Sequence, residues 1–354
     1  MKSSGTSQQV NTTLALAQHL GLSRWTVSRA LNGHPGVREE TAQRVRKAMD
    51  RLGFSPNALA RGLRGGKTQV VGICFQTFGT PVFSKKLIAL QSALRRKGYR
   101  AIIELIEEDA EAEKAVIRHF ASLQVEGMIF VGGPSKRNLP LVSGLRESSS
   151  IAALLIDPVE SVDLPQIRLD RGHAMKISMK RLHEQGHRKV AIMGVRDDVI
   201  YGAERVEALK AICHDLGMEW GSDAVLFNDD GSKGMDFEAG RRLGSRFVKE
   251  RKGATGILAI NDQVAIGAMR SLQEVGTRIP DDVSIIGFDN LDCSQHLHPS
   301  LASVDQRIEF VAQAAVDELV RYMQQDGDGV ANSECRWVKP KFAWGESLGK
   351  GPGN

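Results

Sequence analysis

The chain has 354 residues, of which 42% are hydrophobic, and a net charge of +5. This length exceeds what one hydrophobic core usually supports and predicts two or three domains. No apolar run approaches the roughly 20 residues of a membrane helix, and the polar start lacks a signal-peptide core. The four cysteines and nine histidines show no metal-ligand spacing. We therefore expect a cytoplasmic, nucleoid-associated protein with free thiols, and with no metal ion, cofactor or membrane contact.

The positive charge is concentrated at the start of the chain. Residues 1–67 hold eleven lysines and arginines against three acidic residues, a net charge of +8 that leaves −3 for the rest. A basic head on a mildly acidic body predicts that the head alone meets a polyanion such as DNA.

After a disordered leader at 1–11, residues 12–54 form a predicted helical headpiece. Two short helices lie between Thr13 and Leu31, with Gly21 in the turn, which is the helix-turn-helix pattern. Apolar residues at helical spacing predict the buried faces: Leu14, Ala17 and Leu20 on the first helix, Val27 and Leu31 on the second. A third helix begins near Arg38 and ends at Gly53.

The second helix carries an unusual outer face. Ser23 precedes it as a predicted N-cap, and Arg24, Trp25, Ser28 and Arg29 are expected to face outward. This surface suits a helix that enters the major groove of DNA, whereas the plainer interpretation is a generic helical pair. We expect DNA contacts here from Ser23, Arg24, Trp25, Thr26, Ser28, Arg29 and Asn32.

Residues 55–67 predict a short linker helix that starts at Ser55-Pro56. So short a helix is marginal in water, and Gly62 weakens it further, so we expect it to be disordered without DNA.

From residue 68 to 346 short apolar runs alternate with amphipathic helices, first in VVGICF, GMIFVGG and IAALLID, then again from VAIMG onward in GILAI and VSIIGF. Such runs are typical of buried parallel strands. The pattern predicts an α/β core of two doubly wound halves, with a ligand cleft lined from the carboxyl ends of the strands.

Two polar residues follow strands of the second half. Asp289 comes after VSIIGF and Asn261 after GILAI, where each is placed to bind a ligand in the cleft. The alternatives are that Asp289 begins a turn and that Asn261 caps the next helix.

Several stretches together resemble the LacI (lactose repressor) family: LSRWTVSRALNGHPGVREETAQRV, LGFSPNALARGLR, HEQGHRKVAIMG, AINDQVAIGAMRSLQEVGTRIPDDVSIIGFDN and HPSLASVDQ. The resemblance implies that the linker becomes a hinge helix on operator DNA, with Leu63 as the minor-groove wedge. It also implies DNA contacts from Asn57, Ala60, Arg61 and Arg64. It places Arg24 and Trp25 at the first two base-reading positions.

The resemblance further implies a core like that of periplasmic sugar-binding proteins. The chain would cross between the halves near Gly186, Gln306 and Cys335, giving an N-subdomain of about 68–185 and 307–335 and a C-subdomain of about 186–306 and 336–346, before a flexible tail at 347–354. Arg205, Phe83 and Asp170 are implied ligand contacts. Their alternatives are an ion pair of Arg205 with Glu204 or Glu207, and an ordinary core position for Phe83. Arg171 departs from the usual VDN-x-x-G continuation after Asp170.

The sequence therefore predicts a transcriptional regulator, most often a repressor in this family. We expect a homodimer on a palindromic operator, controlled by a sugar or sugar derivative, with a purine or sugar phosphate acting as co-repressor as the alternative. The C-terminus lacks the leucine heptads that assemble tetramers. A solute-binding protein is disfavoured by the headpiece. An enzyme is disfavoured because no catalytic constellation is found.

Overall fold

The computed structural model describes residues 12–31, 34, 36–54, 67–75, 80–106, 109–159, 162–198, 201–228, 235–250, 253–324 and 335–352. The chain divides into two compact units, residues 1–69 and 70–354. Helices are found in both units, and strands of the described residues lie in the second.

The first unit is a three-helix headpiece made of α1 (Thr13–Leu20), α2 (Arg24–Leu31) and α3 (Glu39–Leu52). Gly21 ends α1 in the left-handed conformation, with φ of 63°, which glycine adopts without a steric penalty. The core residues are Leu16, Ala17, Val27, Val45, Ala48 and Phe54. The prediction for Leu14 is wrong, because this side chain is 51% exposed and Leu16 is buried in its place.

The first half of the second unit holds a six-stranded parallel sheet in the order β11-β5-β4-β3-β1-β2. Its strands are β1 (Val70–Phe75), β2 (Arg100–Leu105), β3 (Gly127–Val131), β4 (Ala152–Ile156), β5 (Gln166–Leu169) and β11 (Cys335–Val338). Its helices are α4 (Pro81–Arg96), α5 (Ala110–Ser122), α6 (Leu139–Ser143), α7 (Leu145–Ser149) and α12 (Ile308–Gln324). Helices on both faces bury the apolar strands that the sequence predicts.

The second half has a four-stranded parallel sheet in the order β7-β6-β8-β9. Its elements are α8 (Arg171–Glu184), β6 (Val190–Met193), α9 (Gly202–Asp215), β7 (Ala224–Phe227), α10 (Phe237–Glu250), β8 (Gly256–Ala259), α11 (Asp262–Glu274), β9 (Ser284–Ile286) and a 3-10 helix (Asp292–His296). A separate antiparallel pair joins β10 (Ser303–Asp305) to β12 (Lys341–Ala343). The predicted fold class is confirmed.

The boundaries between the halves differ from those predicted. Met175, Met179 and Leu182 of α8 lie in the core of the second half, so the chain leaves the first half at about residue 170 and not near Gly186. It leaves the first sheet for the last time after Val338, because β11 pairs with β5. The helix and strand patterns predict the elements but not the core each one joins, which depends on long-range packing.

The expected flexible tail is also corrected, since residues 347–352 pack on the second half. The Ser347 hydroxyl is fully buried and donates to the Ile285 carbonyl at 2.6 Å. Gly351 N–H donates to the Gln185 carbonyl at 2.7 Å, and the buried His187 ring bonds the Gly349 carbonyl at 3.2 Å. These backbone partners fix a segment whose glycine-rich composition predicts mobility.

Candidate functional site

The start of α2 is held by the predicted cap. The Ser23 hydroxyl accepts from Thr26 N–H at 3.0 Å and lies 2.8 Å from the Thr26 hydroxyl. This bond satisfies one of the free N–H groups at the helix start and fixes the direction in which the first turn leaves the chain. The cap prediction for Ser23 is confirmed.

The first turn of α2 presents Arg24 and Trp25 to solvent. The Trp25 side chain is 66% exposed, and the Arg29 guanidinium carbon lies 4.3 Å from the centroid of its ring. A cation held against the indole limits the orientations that this large side chain can adopt. The outer face of α2 thus carries the oriented Trp25 indole next to the exposed Arg24 side chain.

Arg29 differs from the prediction that it faces outward, because its side chain is partly buried. Its Nη2 donates at 2.6 Å to His34 Nδ1, which must accept because a guanidinium has only donors. A Cβ placed on Gly36 would lie 2.6 Å from the same Nη2. The turn after α2 therefore folds over Arg29, and the arginine braces Trp25. Thr26 and Ser28 are half-buried on the same helix.

The other predicted DNA contacts, Asn32, Asn57, Ala60, Arg61, Leu63 and Arg64, lie outside the described residues.

In the second unit, Asp289 follows β9 and is buried, with a left-handed φ of 119°. Its N–H donates to the Val304 carbonyl at 2.9 Å, and the Gln306 side-chain amide donates to its Oδ1. Burial, together with the nearby charge of Asp262, raises the pKa of Asp289 to about 7. Its Oδ2 has no hydrogen bond from the described residues and is available to a ligand.

Arg205 lies in the first turns of α9 and is only 8% exposed. The described residues form no ion pair between Arg205 and Glu204 or Glu207 and no hydrogen bond to its guanidinium, whose carbon lies 5.6 Å from the centroid of the Phe288 ring. Its Nε is buried without a hydrogen-bond partner. Burial, and then the positive charge of Arg171, lowers the pKa of Arg205 to about 10. A buried cation without a hydrogen-bond acceptor is costly, so the site favours a ligand that accepts hydrogen bonds.

The Asn261 side chain caps α11, which is the alternative that the sequence left open. Its Oδ1 accepts from Val264 N–H at 2.8 Å, and its Nδ2 donates to the Met235 carbonyl at 2.7 Å. Each end of the amide therefore has one partner within the protein and keeps one further donor or acceptor site.

Asp170 and Phe83 also have structural partners. The Asp170 carboxylate caps α8 by accepting from His173 N–H at 2.7 Å. The Phe83 ring packs edge to face on Phe75 with centroids 6.2 Å apart, and Lys86 Nζ lies 5.8 Å from the Phe83 centroid. The structure thus brings Arg205 and Asp289 near one another, and it gives Asn261, Asp170 and Phe83 contacts within the protein, while their contact with a ligand stays a prediction.

A cluster that the sequence analysis missed lies beside Arg205. Asp157, just after β4, is buried and bonded by both terminal nitrogens of Arg171, at 3.2 and 3.1 Å. Lys86 Nζ lies 3.4 Å from its Oδ2, and Leu169 N–H donates to its Oδ1 at 2.7 Å. Burial alone would raise the pKa of Asp157, but Arg171 and Lys86 hold it well below its usual range. The rule that pointed to Asp289, a carboxylate after a buried strand, applies equally to Asp157.

Tyr201 closes this cluster. Its hydroxyl donates to the Asp157 carbonyl, and the Arg171 guanidinium carbon lies 3.8 Å from its ring centroid. Burial raises the pKa of Tyr201 to about 12, so the phenol stays protonated and keeps its donor. Because Asp157 and Lys86 belong to the first half and Arg171, Tyr201 and Arg205 to the second, a ligand here contacts both halves at once.

Among the described residues, no helix is long and apolar enough to cross a membrane. The same residues contain no group of three or more histidines, cysteines and acidic side chains that could hold a metal ion.

Comparison with known proteins gives two family matches. Residues 16–57 match the model of bacterial regulatory proteins of the lacI family, and residues 179–348 match a periplasmic binding protein-like domain. The chain is 26% identical over 313 residues to catabolite control protein A of Priestia megaterium, covering 88% of this chain and 92% of that protein.

Two solved structures illustrate the fold similarity. The Lac repressor dimer bound to operator and the anti-inducer ONPF has a TM-score of 0.79 at 22% identity, covering 96% of this chain and 99% of that one. The complex of the transcriptional regulator CelR with cellobiose has a TM-score of 0.66 at 20% identity, covering 95% and 99%.

Proposed function

This chain belongs to the LacI family of bacterial regulatory proteins and is a DNA-binding transcriptional regulator with an effector-binding core, and we propose that it acts as a homodimer on a palindromic operator under the control of a sugar or sugar derivative. Repression is the expected action, as in most of the family.

The observation that carries the DNA part of the proposal is the outer face of α2. Ser23 fixes the helix start, and Arg29 orients Trp25, which leaves Arg24 and Trp25 pointing away from the headpiece core. An arginine can bond the O6 and N7 atoms of guanine, and an indole can lie against a thymine methyl. In this proposal Arg24 and Trp25 read bases, Thr26 and Ser28 contact the DNA, and Arg29 positions Trp25.

The linker completes the DNA contacts in this proposal. Leu63 unstacks a central base step, while Asn57, Ala60, Arg61 and Arg64 lie along the minor groove and the backbone, and Asn32 extends the contacts of α2. Two subunits related by a two-fold axis require two half-sites in opposite orientations. The similarity in fold to a Lac repressor dimer bound to operator supports this arrangement.

The effector part is supported by the residues around Arg205. Arg205 and Asp289 from the second half face Asp157 and Lys86 from the first, so an effector between them stabilises one arrangement of the halves. If operator DNA binds better to a different arrangement of the halves, the effector and the DNA weaken each other's binding. If DNA binds better to the same arrangement, each strengthens the binding of the other. The CelR structure with cellobiose supports a sugar in a core of this fold.

Selection of operators from random duplex DNA with the full-length protein tests the proposal. The expected result is an enriched inverted repeat, bound by two chains in sedimentation measurements at the selected site. Enrichment of a single unrepeated motif, or no enrichment at all, would contradict the dimeric operator-binding function.

A further inference from the structure

From the side chains around Arg205 we infer that the effector is an anionic sugar derivative, carrying a phosphate or carboxylate group that Arg171 and Arg205 bind. This inference rests on the proposed function, because it names the chemical class of the effector that controls DNA binding.

Hydrogen-bond donors are numerous in this part of the cleft. Arg205 has five N–H groups, none of which donates to a described residue, and arginine and lysine side chains have no acceptor. The Asp157 carboxylate already accepts from Arg171, Lys86 and Leu169 N–H. Asp289 Oδ2 is the acceptor that remains beside Arg205 for a sugar hydroxyl. A phosphate or carboxylate group brings further acceptors for the arginine N–H groups and does not compete for Asp289.

Arg205 is the second, independent observation. The residue is only 8% exposed, and its Nε makes no hydrogen bond. The Arg171 guanidinium rests on the ring of Tyr201, and Arg205 lies one helical turn further along the helix that Tyr201 begins, so the two cations are neighbours in a partly desolvated site. An anion between them offsets both the lost hydration and the repulsion, and paired arginines suit an oxyanion because each can donate two parallel bonds.

Arg171 is fixed in place for this role. Its two terminal nitrogens hold Asp157, and its flat face rests on the Tyr201 ring. Its bonds also occupy Asp157 carboxylate oxygens that would otherwise accept from sugar hydroxyls.

Glu204 and Asp289 lie near Arg205, and their charges favour its protonated form. Neither is bonded to the guanidinium: the Glu204 carboxylate accepts from Gly172 N–H at 3.3 Å, and Asp289 Oδ1 accepts from the Gln306 amide. The pKa of Asp289, raised to about 7 by burial and by the charge of Asp262, allows it to take up a proton when an anion binds beside it. In that form Asp289 still serves the sugar part of the ligand as one donor and one acceptor.

Isothermal titration calorimetry with matched ligand pairs tests the inference on the full-length wild-type protein. The panel contains hexoses and pentoses, each with its phosphate esters and its sugar acids, and inorganic phosphate as a minimal probe. An anionic member should bind at least about tenfold more tightly than its neutral parent, which corresponds to one charge-assisted hydrogen bond. The inference would be overturned if the neutral parent bound as tightly as the anionic compound or more tightly, or if no anionic compound of the panel bound.

The proton balance gives an independent readout. An anion beside Asp289 raises its proton affinity, so binding near neutral pH should take up protons, seen as a dependence of the heat on the ionisation enthalpy of the buffer. A neutral sugar that donates to the carboxylate would instead release protons.

Two variants separate the role of Arg171 from its part in folding. Arg171→Asn should lose about tenfold or more in affinity for the anionic ligand, and the ratio between the anion and its neutral parent should fall. Lys176→Asn, which removes an exposed cation from the same helix, should change neither quantity. An Arg171→Asn variant that keeps both its fold and its preference for the anion would contradict the assignment, and the wild-type panel decides the ligand class even if this variant does not fold.

Operator selection with the same protein preparation distinguishes failure of the anionic-effector inference from failure of the proposed function. A neutral sugar that changes binding to a selected operator would leave the proposed function standing and remove the anionic class. Failure to select any operator would remove the proposed function whatever ligand binds.

Discussion

Guanidinium groups in this protein take different roles according to the partners around them. Arg24 is exposed and free to meet DNA, whereas Arg29 is bound by His34 and rests on Trp25. Arg171 is buried and bonded to Asp157 as its counter-ion, whereas Arg205 is buried with its Nε unbonded. The residue type alone assigns none of these roles, because every arginine offers the same N–H donors and positive charge, and the surrounding groups decide which partner it binds.

Replacement of Arg24 tests the base-reading role. Arg24→Ala should weaken operator binding by about 1–3 kcal/mol and relax preference at one base pair in each half-site, because a bidentate contact is lost. Lys47→Ala, an exposed charge on α3, should leave base preference unchanged. Parallel selections from random DNA measure both effects, and an unaltered preference after Arg24→Ala would show that Arg24 does not read a base.

The buried carboxyl group of Asp289 predicts a pH dependence of stability. Its pKa rises from 3.8 to about 7 on folding, so the folded protein holds this proton more tightly than the unfolded chain. The resulting stabilisation is complete below about pH 4 and is lost as the pH rises through about 7. Asp289→Asn keeps the acceptor for Gln306 and removes the titration.

Thermal unfolding of both proteins at several pH values between about 5 and 8 measures this effect. The Tm of Asp289→Asn minus that of the wild type should increase with pH over this range. Groups that titrate in both proteins, such as His187, cancel in the difference. A difference that stays constant from pH 5 to 8 would show that Asp289 titrates outside this window.

At the scale of elements, α10 and α11 approach each other closely because glycines line their contact. A Cβ on Gly267 would lie 2.0 Å from the Phe237 carbonyl oxygen, and one on Gly240 would lie 2.3 Å from that of Val264. Both atoms belong to backbone, which cannot rotate away as a side chain can. This contact supports α11, whose first turn carries the buried Asp262 carboxylate bonded by Ser294 and Ser303.

Gly267→Ala should therefore destabilise the protein by about 1–3 kcal/mol, since the two helices must move apart to admit one methyl group. Gly144→Ala is the matched control, because a Cβ there meets its nearest atom at 3.4 Å, an ordinary contact. Denaturant unfolding monitored by circular dichroism measures both. Equal stability of the two variants would show that the helix contact relaxes without cost.

At the scale of the whole molecule, the two halves of the core are joined by contacts of unequal strength. Lys85 Nζ lies 2.9 Å from Asp292 at the cleft edge, where the Asp292 side chain is 89% exposed. The bonds of Asp157 with Arg171 and Lys86 are buried. Because solvent screens the first pair more than the second, we expect the buried cluster to contribute more to the relative arrangement of the halves.

Asp292→Asn should consequently change effector affinity by less than about fivefold, the limit for an exposed ion pair worth 1 kcal/mol or less. The measurement is calorimetric titration of wild type and variant with the same ligand at low and high salt. A larger loss that salt abolishes would show that the exposed pair, and not the buried cluster, controls closure.

The coupling between operator and effector is the prediction that belongs to the proposed dimer. If the effector changes operator affinity by some factor, the operator must change effector affinity by the same factor. Operator titrations at zero and saturating effector, and effector titrations with and without operator, supply the two ratios. Unequal ratios would show that a further linked equilibrium, such as dimer dissociation, takes part.

The sequence by itself determined the features that depend on neighbouring residues. The apolar runs indicated parallel strands, the Ser23 cap fixed the start of the second helix, and the family motifs predicted the order of headpiece and core. The sequence predicts Arg205 and Asp289 as ligand contacts because one matches a family motif and the other follows a buried strand. Each of these signals lies within a few residues of the feature it predicts.

Only the tertiary structure decided which distant groups meet. Arg171 and Asp157 are separated by fourteen residues and the Tyr201–Asp157 contact spans forty-four, so no local pattern could pair them. The same holds for α8, because the sequence shows its apolar face but not the hydrophobic core in which that face is buried. It also holds for residues 347–352, which form hydrogen bonds with residues distant in the sequence. Periodicity shows that a face is buried, and the partner that buries it is set by packing of the whole chain.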